Sequence, residues 1–261
     1  MRKLALLTMC SMWFAAGAAR ADALVGWGDS PTNGAPILQT FNCHANTGAN
    51  TMVISVVPEY DLIGVTGMQL DLVAWQGTGG ECYSPSNGGQ CYIPPLPAYW
   101  DMGPGGCRAG AISGVAGFYG TPRVDPSPVV DPWQGAISLC TGWHVETGGM
   151  WTEKGYEPTS VGRLDVQASI PQGSSVDLLA GHEYYIATVT LRHTKSLMPG
   201  GCEGCCTSVE FHPRITLQYV GGAAYLEPTS GIGGVWQGSQ GQCTAVPTRG
   251  STWGAIKSAY R

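Results

Sequence analysis

The chain has 261 residues, with 13 basic and 18 acidic side chains and a formal net charge of −5. An acidic chain without a basic stripe lacks the electrostatic footprint that nucleic-acid binding requires, so that class of function is excluded. Charged residues make up 12% of the sequence, against roughly 25% in ordinary soluble domains. The 39 glycines and 18 prolines predict many turns and few helices.

The first residues have the layout of a secretory signal peptide. Arg2 and Lys3 form a positive start, an uncharged run covers 4–19, and two overlapping A-x-A cleavage signals end at Ala23. The apolar run is shorter than the roughly 20 residues that a membrane-spanning helix needs. We therefore expect residues 1–23 to be removed and no membrane span to follow. The mature protein is expected in the periplasm, on the cell surface or in the medium.

Ten cysteines are present, and all but Cys10 lie beyond the predicted leader. In an exported protein such cysteines are first of all disulfide partners, and an odd number leaves at least one without an internal pair. We expect Cys82 to pair with Cys91 across a short polar loop, and Cys107 to pair with Cys140. The pairing of the remaining candidates is open: Cys43, Cys202, Cys205, Cys206 and Cys243.

Strict alternation of apolar and polar residues recurs along the chain and indicates strands with one buried face. The runs cover 68–72, 164–170, 185–192 and 209–219, and a shorter apolar strand covers 52–57. Pro213 in the last long run predicts an edge position or a bulge, since proline cannot donate to a ladder. No amphipathic helix is available to cover these faces. We therefore predict an all-β fold, an antiparallel β-sandwich of jelly-roll type over 24–230, with a barrel as the alternative.

A glycine- and proline-rich segment, 77–135, interrupts the alternating runs. Connections of this length are uncommon in compact domains unless they are functional or stapled, so we predict a long disulfide-stapled loop. It carries Tyr99-Trp100, which we predict to be an exposed platform for sugar rings. The alternative is that these rings fill the core. The C-terminal part, 231–261, is predicted to pack on the sandwich and to end in a short helix.

The residues typical of metal and catalytic sites form no complete motif. Cys202-x-x-Cys205-Cys206 followed by His212 has part of a zinc-ligand pattern, but a second ligand pair at proper spacing is missing. The same C-x-x-C lies in a glycine-rich stretch and not at a helix start, which disfavours a redox motif. Asp101 and Glu146 are carboxylates that would serve glycoside cleavage if the fold brought them together. We expect no metal, no cofactor and no catalytic residue.

Two segments resemble strands of cohesin-type sandwiches. They are Gly64-Val-Thr-Gly-Met-Gln-Leu-Asp-Leu-Val and Ala180-Gly-His-Glu-Tyr-Tyr-Ile-Ala-Thr-Val-Thr-Leu. In that family similar strands belong to a nine-stranded jelly roll. The resemblance implies a cohesin-like fold and does not extend to the dockerin-binding activity of the family.

The C-terminal part is similar to uncharacterised secreted proteins of environmental bacteria. The similar stretches are Cys202-Glu-Gly-Cys205, Val235-Trp-Gln-Gly, Cys243-Thr-Ala-Val-Pro-Thr-Arg and Thr252-Trp-Gly-Ala-Ile-Lys-Ser-Ala-Tyr-Arg261, with Leu96-Pro-Ala-Tyr-Trp100 and Gly106-Cys107-Arg108 further upstream. Those proteins have no known activity, so the resemblance implies no functional residues. Cys206 departs from their pattern.

These features favour a non-catalytic extracellular or cell-surface module, because stapled loops on a rigid sandwich present binding surfaces well. Its role is expected to be structural or to consist in binding a polysaccharide or another surface protein. One alternative is a secreted hydrolase acting on glycans. Another is a surface or filament subunit that assembles by strand pairing at exposed edges. The oligomeric state is open.

Overall fold

The computed structural model describes most of the chain between residues 22 and 236. The described residues are 22–40, 43, 45–77, 91–93, 95–117, 129, 131–133, 136–140, 142–147, 156–158, 160–171, 173–196, 201–228 and 234–236. The predicted signal peptide, the Cys82–Cys91 staple, Cys243 and the C-terminal helix lie wholly or partly outside these ranges.

The described chain is built from β-strands and contains no α-helix. Short 3₁₀ turns occur at Pro31–Asn33 and Ala98–Trp100. The strands in chain order are β1 (Asp22–Trp27), β2 (Leu38–Gln39), β3 (Ala49–Val57), β4 (Leu62–Val65), β5 (Gly67–Gln76), β6 (Cys91–Ile93), β7 (Ile112–Ala116), β8 (Ile137–Cys140), β9 (His144–Thr147), β10 (Tyr156–Pro158), β11 (Ser160–Ser169), β12 (Val176–Leu178), β13 (Tyr184–Arg192), β14 (Val209–Tyr219), β15 (Gly222–Leu226) and β16 (Gly234–Trp236). All five runs predicted as strands are confirmed by β3, β5, β11, β13 and β14.

Most strands belong to one of two sheets. The smaller sheet is antiparallel, with the order β1-β3-β13-β7. The larger sheet has the order β2-β16-β14-β5-β11-β8, with β15 also pairing with β14 and β9 also pairing with β11. Its long central strands, β14, β5 and β11, are antiparallel to one another. Two ribbons complete the fold: β4 with β12 and β6 with β10.

The two sheets enclose one apolar core. Met52 and Ile54 of β3 belong to the same buried cluster as Leu70 and Leu72 of β5. Trp27 of β1 meets Phe211 of β14 edge-on, with ring centroids 6.1 Å apart. Each sheet therefore buries one face against the other, as alternation along the strands requires. The predicted all-β sandwich is confirmed.

Pro213 lies in a central strand, so its predicted edge position is wrong. It pairs in continuous register with Leu72 of β5, without a bulge. On the other side of β14, β16 pairs with 209–211 and β15 pairs with 215–219. Pro213 lies between these two short pairings, where the lack of an N–H group is tolerated.

The predicted loop 77–135 contains part of the sandwich. Its strand β7 pairs with β13 along Ile112–Ala116 and forms one edge of the smaller sheet. Its short strand β6 pairs in parallel with β10. The predicted disulfide-stapled loop is thus held by the disulfide of Cys107 with Cys202, while Cys91–Ile93 and Ile112–Ala116 belong to strands paired with distant parts of the chain.

Two disulfides bind the loop 201–207 to distant segments of the described chain. Cys43 is bonded to Cys205, and Cys107 is bonded to Cys202. Cys206 is also disulfide-bonded. The predicted pair of Cys107 with Cys140 is wrong, since Cys140 on β8 keeps its thiol.

The edges of the two sheets meet at β7 and β8, a contact that we call the seam. The Ala116 N–H group donates a hydrogen bond of 3.1 Å to Ser138 Oγ. The Gly114 N–H group donates to the sulfur of Cys140, and burial raises the pKa of this thiol. Ser138 and Cys140 alternate along β8, so side chains of the larger sheet bind the backbone edge of the smaller one.

Within the described ranges, no helix is long and apolar enough to cross a membrane.

Candidate functional site

Tyr99 and Trp100 are completely buried, so the prediction that they form an exposed sugar-binding platform is wrong. The 3₁₀ turn directs both rings into the core. Trp100 packs edge-on against Trp236 at 5.0 Å and against Phe211 at 5.6 Å. The Tyr99 hydroxyl lies 2.9 Å from Ser196 Oγ. The alternative is thus correct: these rings fill the core.

A buried arginine holds this turn in place. The guanidinium of Arg108 lies 3.7 Å from the centroid of the Tyr99 ring. It donates hydrogen bonds to the carbonyl oxygens of Thr194 at 2.9 Å and Tyr99 at 3.2 Å, and to that of Arg192. Burial lowers the pKa of Arg108 to about 10, partly offset by Tyr99. Since Arg108 is itself 1% exposed, this arrangement stabilises the fold and has no free face for a ligand.

The outer face of the larger sheet, which points away from the core, has a different character. Gln69 of β5 lies opposite Gln167 of β11 on one side and Thr216 of β14 on the other. Beyond them, Leu139 of β8 lies opposite Gln167, and Tyr225 of β15 lies opposite Thr216. These five residues form a line over five paired strands, which we call the cross-strand row.

The cross-strand row is open to solvent. Tyr225 is 71% exposed and Leu139 is 64% exposed. Gln69 and Gln167 are exposed as well, and Thr216 is half-buried. The row therefore offers an aromatic ring, an aliphatic side chain and amide and hydroxyl groups on a rigid support.

A shallow depression of about 240 Å³ lies beside the row. Part of its lining comes from the row itself, and the rest comes from the next row of side chains. Its polar and aromatic lining residues are Gln69, Asp71, Arg214, Thr216, Tyr225 and Glu227.

The charged groups beside the depression are held in ion pairs. Asp71 lies 3.3 Å from Arg163 Nη1, and Arg214 Nε lies 3.2 Å from Glu227. Burial raises the pKa of the Asp71 carboxyl and the nearby Asp165 raises it further, against the lowering effect of Arg163. Asp71 Oδ1 is buried and has no hydrogen-bond partner in the described residues. Asp71 thus has a carboxyl pKa above its usual range and lines the depression.

The other half of the outer face is covered. Val73, Trp75 and Val161 form a separate buried apolar cluster there. Trp75 also stacks on the ring of His212, with centroids 3.8 Å apart and planes 14° apart. The exposed part of this face therefore consists of the cross-strand row and the depression, which we together call the open half.

The residues considered for metal or redox chemistry have other roles. Cys202 and Cys205 are oxidised in separate disulfides and are not thiolate ligands. Within the described part of the chain, no group of three or more His, Cys, Asp or Glu side chains could hold a metal ion.

The carboxylates considered for glycoside cleavage lie on different elements of the fold. Asp101 ends the 3₁₀ turn and its carbonyl oxygen accepts a hydrogen bond of 2.9 Å from the Arg108 backbone. Glu146 lies on β9 and pairs with Arg163 Nε at 3.0 Å.

No protein family model, no curated protein sequence and no solved structure matches this chain. The resemblances to cohesin-type sandwiches and to secreted proteins of environmental bacteria therefore stay predictions.

The sequence prediction missed the whole cross-strand row. One signal was available: Gly221-Gly222 follows a long alternating run, and Ala224 and Leu226 then flank Tyr225. This pattern indicates a hairpin with Tyr225 on the outward face. The alignment of Tyr225 with residues as distant as Leu139 depends on strand pairing, which a local pattern does not contain.

Proposed function

We propose that this protein is an extracellular module that binds a polysaccharide on the open half of its outer face. The observation that carries the proposal is the cross-strand row, in which exposed Tyr225 and Leu139 flank three residues with hydrogen-bonding side chains.

The chemistry of the row suits sugars. An exposed aromatic ring packs against the apolar face of a sugar ring while its hydroxyl stays in water. The amide groups of Gln69 and Gln167 donate and accept hydrogen bonds, as sugar hydroxyls do. Because the side chains project from paired strands, little conformational freedom is lost when a ligand binds.

An extracellular location fits the sulfur chemistry. The disulfides Cys43–Cys205 and Cys107–Cys202 are typical of proteins in oxidising compartments. The predicted signal peptide at 1–23 points the same way. Release from the cell or attachment to its surface places the open half where polysaccharides occur.

Retention of the purified protein on insoluble polysaccharides tests the proposal. Cellulose, chitin, xylan and mixed-linkage β-glucan are the probes. We expect retention on at least one of them, and about tenfold weaker retention, or 1.4 kcal/mol, for Tyr225→Ala. The matched control is Tyr60→Ala, since Tyr60 is 40% exposed in the turn between β3 and β4.

Three outcomes would not support binding on the open half. Loss of retention in both tyrosine variants would point to general instability, which thermal unfolding of the variants detects. Equal retention of wild type and Tyr225→Ala would remove the open half from the proposal. Retention on none of the four probes would contradict polysaccharide binding itself.

A second candidate is glycan hydrolysis at the same face, favoured by the position of Asp71. Asp165 lies directly opposite Asp71 across β5 and β11. Directly opposed residues have Cβ atoms roughly 4.5–5.5 Å apart, so the two carboxyl groups are neighbours on one face. Glycosidases use such a pair of carboxylates. The raised pKa of Asp71 suits a proton donor.

Release of reducing ends from the same four polysaccharides tests the hydrolase candidate. Asp71→Asn and Asp165→Asn are each expected to abolish release, and retention of each variant is measured beside it. Glu203→Gln, at an exposed position outside the face, is the control. Retention without any release of reducing ends leaves the binding function and eliminates hydrolysis.

Assembly by strand pairing has less support. The edge strands of the larger sheet, β8 and β2, have four and two residues. Short edges of this kind are one way in which proteins limit pairing with other chains.

A further inference from the structure

The direction and charge of the open half restrict the ligand further. Resting on the proposed function, we infer that the ligand is an uncharged polysaccharide chain that runs across the strands, along the cross-strand row.

The row is long enough for several sugar rings. It connects β8, β11, β5, β14 and β15, each paired with the next. Neighbouring strands lie roughly 4.8 Å apart, so the row spans about 19 Å between its outer strands. A single sugar ring covers only part of that distance. Leu139 at one end and Tyr225 at the other are thus reached together only by an oligomer.

The row and the row below it carry no charge. The lower row consists of Ile137, Ser169, Gly67, Gln218 and Ala223, in the same register. Three of its members are small, which leaves lateral room for a chain lying over the cross-strand row. Neither row offers a partner for a charged sugar.

The row above contains charges, but these are already paired. Asp71 is held by Arg163, and Arg214 is held by Glu227. Asp165 and Asp71 add negative charge on the same side. An anionic chain along the cross-strand row would face these carboxylates, and separating an existing ion pair to bind it would offset any gain. A neutral chain meets neither cost.

The covered half of the outer face excludes a ligand chain that lies perpendicular to the cross-strand row, parallel to the strands. A chain running parallel to the strands would pass from Gln69 over Asp71 to the buried residues Val73 and Trp75. Along this path the ligand chain would meet the ion pair of Asp71 first and the buried cluster of Val73 and Trp75 next. The crosswise direction is therefore the one along which the exposed residues continue.

Isothermal titration with oligosaccharides of increasing length tests this orientation. The probes are cello-, xylo- and chito-oligosaccharides from the disaccharide to the hexasaccharide. We expect the affinity of the bound series to rise about tenfold between the disaccharide and the tetrasaccharide, and then to level off. Oligogalacturonides of equal length, which are anionic, are expected to bind at least about tenfold more weakly.

Variants at the two ends of the row make the test specific. Tyr225→Ala is expected to weaken every member of the bound series. Leu139→Ala is expected to weaken the longer members and to leave the disaccharide unchanged, because a short chain does not reach both ends. Leu179→Ala, an exposed leucine in the turn after β12, is the matched control and should behave as wild type.

The outcomes separate this inference from the function on which it rests. If the protein is retained on polysaccharide but affinity is independent of length, or Leu139→Ala has no effect, the crosswise orientation is wrong and the binding function stands. Equal or tighter binding of oligogalacturonides overturns the preference for an uncharged chain. Absence of retention on all polysaccharides removes both.

Discussion

Gly162 of β11 lies directly against the indole ring of Trp143. A Cβ atom at position 162 would lie 1.9 Å from Trp143 Cζ2 and 2.5 Å from Cη2. Trp143 is 2% exposed, so its ring has no space into which to move. The glycine is required here by the close approach of a core side chain to the strand.

Gly162→Ala is expected to lower the free energy of unfolding by about 3 kcal/mol, the upper part of the range for overpacked cores. Urea unfolding followed by tryptophan fluorescence measures the change. Gly142→Ala is the control, since a Cβ atom at position 142 meets nothing within 4 Å. Equal losses in the two variants would show that contact with Trp143 is not the cause.

Trp100→Ala is expected to destabilise the fold by about 3–5 kcal/mol, as for other large aromatic deletions in cores. Its ring is completely buried and packs against Trp236 and Phe211. Tyr225→Ala, by contrast, removes an exposed ring and should change stability by less than about 0.5 kcal/mol. Thermal and urea unfolding of both variants checks the contrast. A Trp100→Ala variant that is as stable as wild type but is no longer retained on polysaccharide would contradict the burial of Trp100.

Glu183 is a buried carboxylate at the end of the smaller sheet. It accepts hydrogen bonds from the hydroxyls of Ser30, Thr32 and Ser55, and so fixes the 3₁₀ turn at Pro31–Asn33 to β3 and β13. Glu183→Gln replaces one accepting oxygen by a donor and is expected to cost about 2 kcal/mol.

The measurement for Glu183→Gln is again urea unfolding, beside Glu203→Gln as an exposed control. Surface changes of this kind stay within about 0.5 kcal/mol. A Glu183→Gln protein as stable as the control would mean that the three hydroxyls find other acceptors.

Asp71 should make stability depend on pH in a defined direction. Because burial raises its pKa in the folded state, the folded protein binds more protons than the unfolded chain just above the ordinary aspartate value. The contribution of Asp71 to the free energy of unfolding is therefore present at low pH and is lost as the pH rises through the raised pKa. We expect Asp71→Asn to gain stability relative to wild type as the pH rises above about 4.

Urea unfolding of both proteins at a series of pH values gives this difference. The absolute difference in free energy of unfolding also includes the contact with Arg163 that the variant loses. The change of this difference with pH is therefore the informative quantity. A difference that is constant, or that shifts toward wild type as pH rises, would contradict a raised pKa for Asp71.

Removing the Cys43–Cys205 disulfide by a double serine substitution should be strongly destabilising. The bond closes a loop with a sequence separation of 162, for which the chain-entropy model gives about 5 kcal/mol. Unfolding of the double variant measures the loss. Peptide mapping without reduction should recover Cys43 with Cys205 and Cys107 with Cys202. A Cys107–Cys140 peptide would contradict the structure.

Local patterns were sufficient to predict the sandwich. Alternation in 68–72 and 209–219 reports which side chains are buried, and burial on one face requires a second layer. They were insufficient for Trp100, since its segment has the glycine and proline content of an exposed loop. Its burial depends on contacts with Phe211 of β14 and Trp236 of β16, which are remote in sequence.

The candidate site was missed for a related reason. Alternation in 68–72 and 164–170 puts Gln69 and Gln167 on the polar faces of their strands, but nothing local places them side by side. That relationship follows from the pairing of β5 with β11 over eight residues. The disulfide of Cys107 likewise depends on topology. The fold brings Cys202 to Cys107, whereas Cys140 lies on β8 at the seam.

The seam has a consequence for how this protein behaves at high concentration. The N–H groups of Gly114 and Ala116 would otherwise be the template to which a foreign β-segment adds, the first step of amyloid-like growth. Ser138 and Cys140 already accept their hydrogen bonds. These two short side chains therefore prevent another molecule from adding a strand to this edge of the smaller sheet.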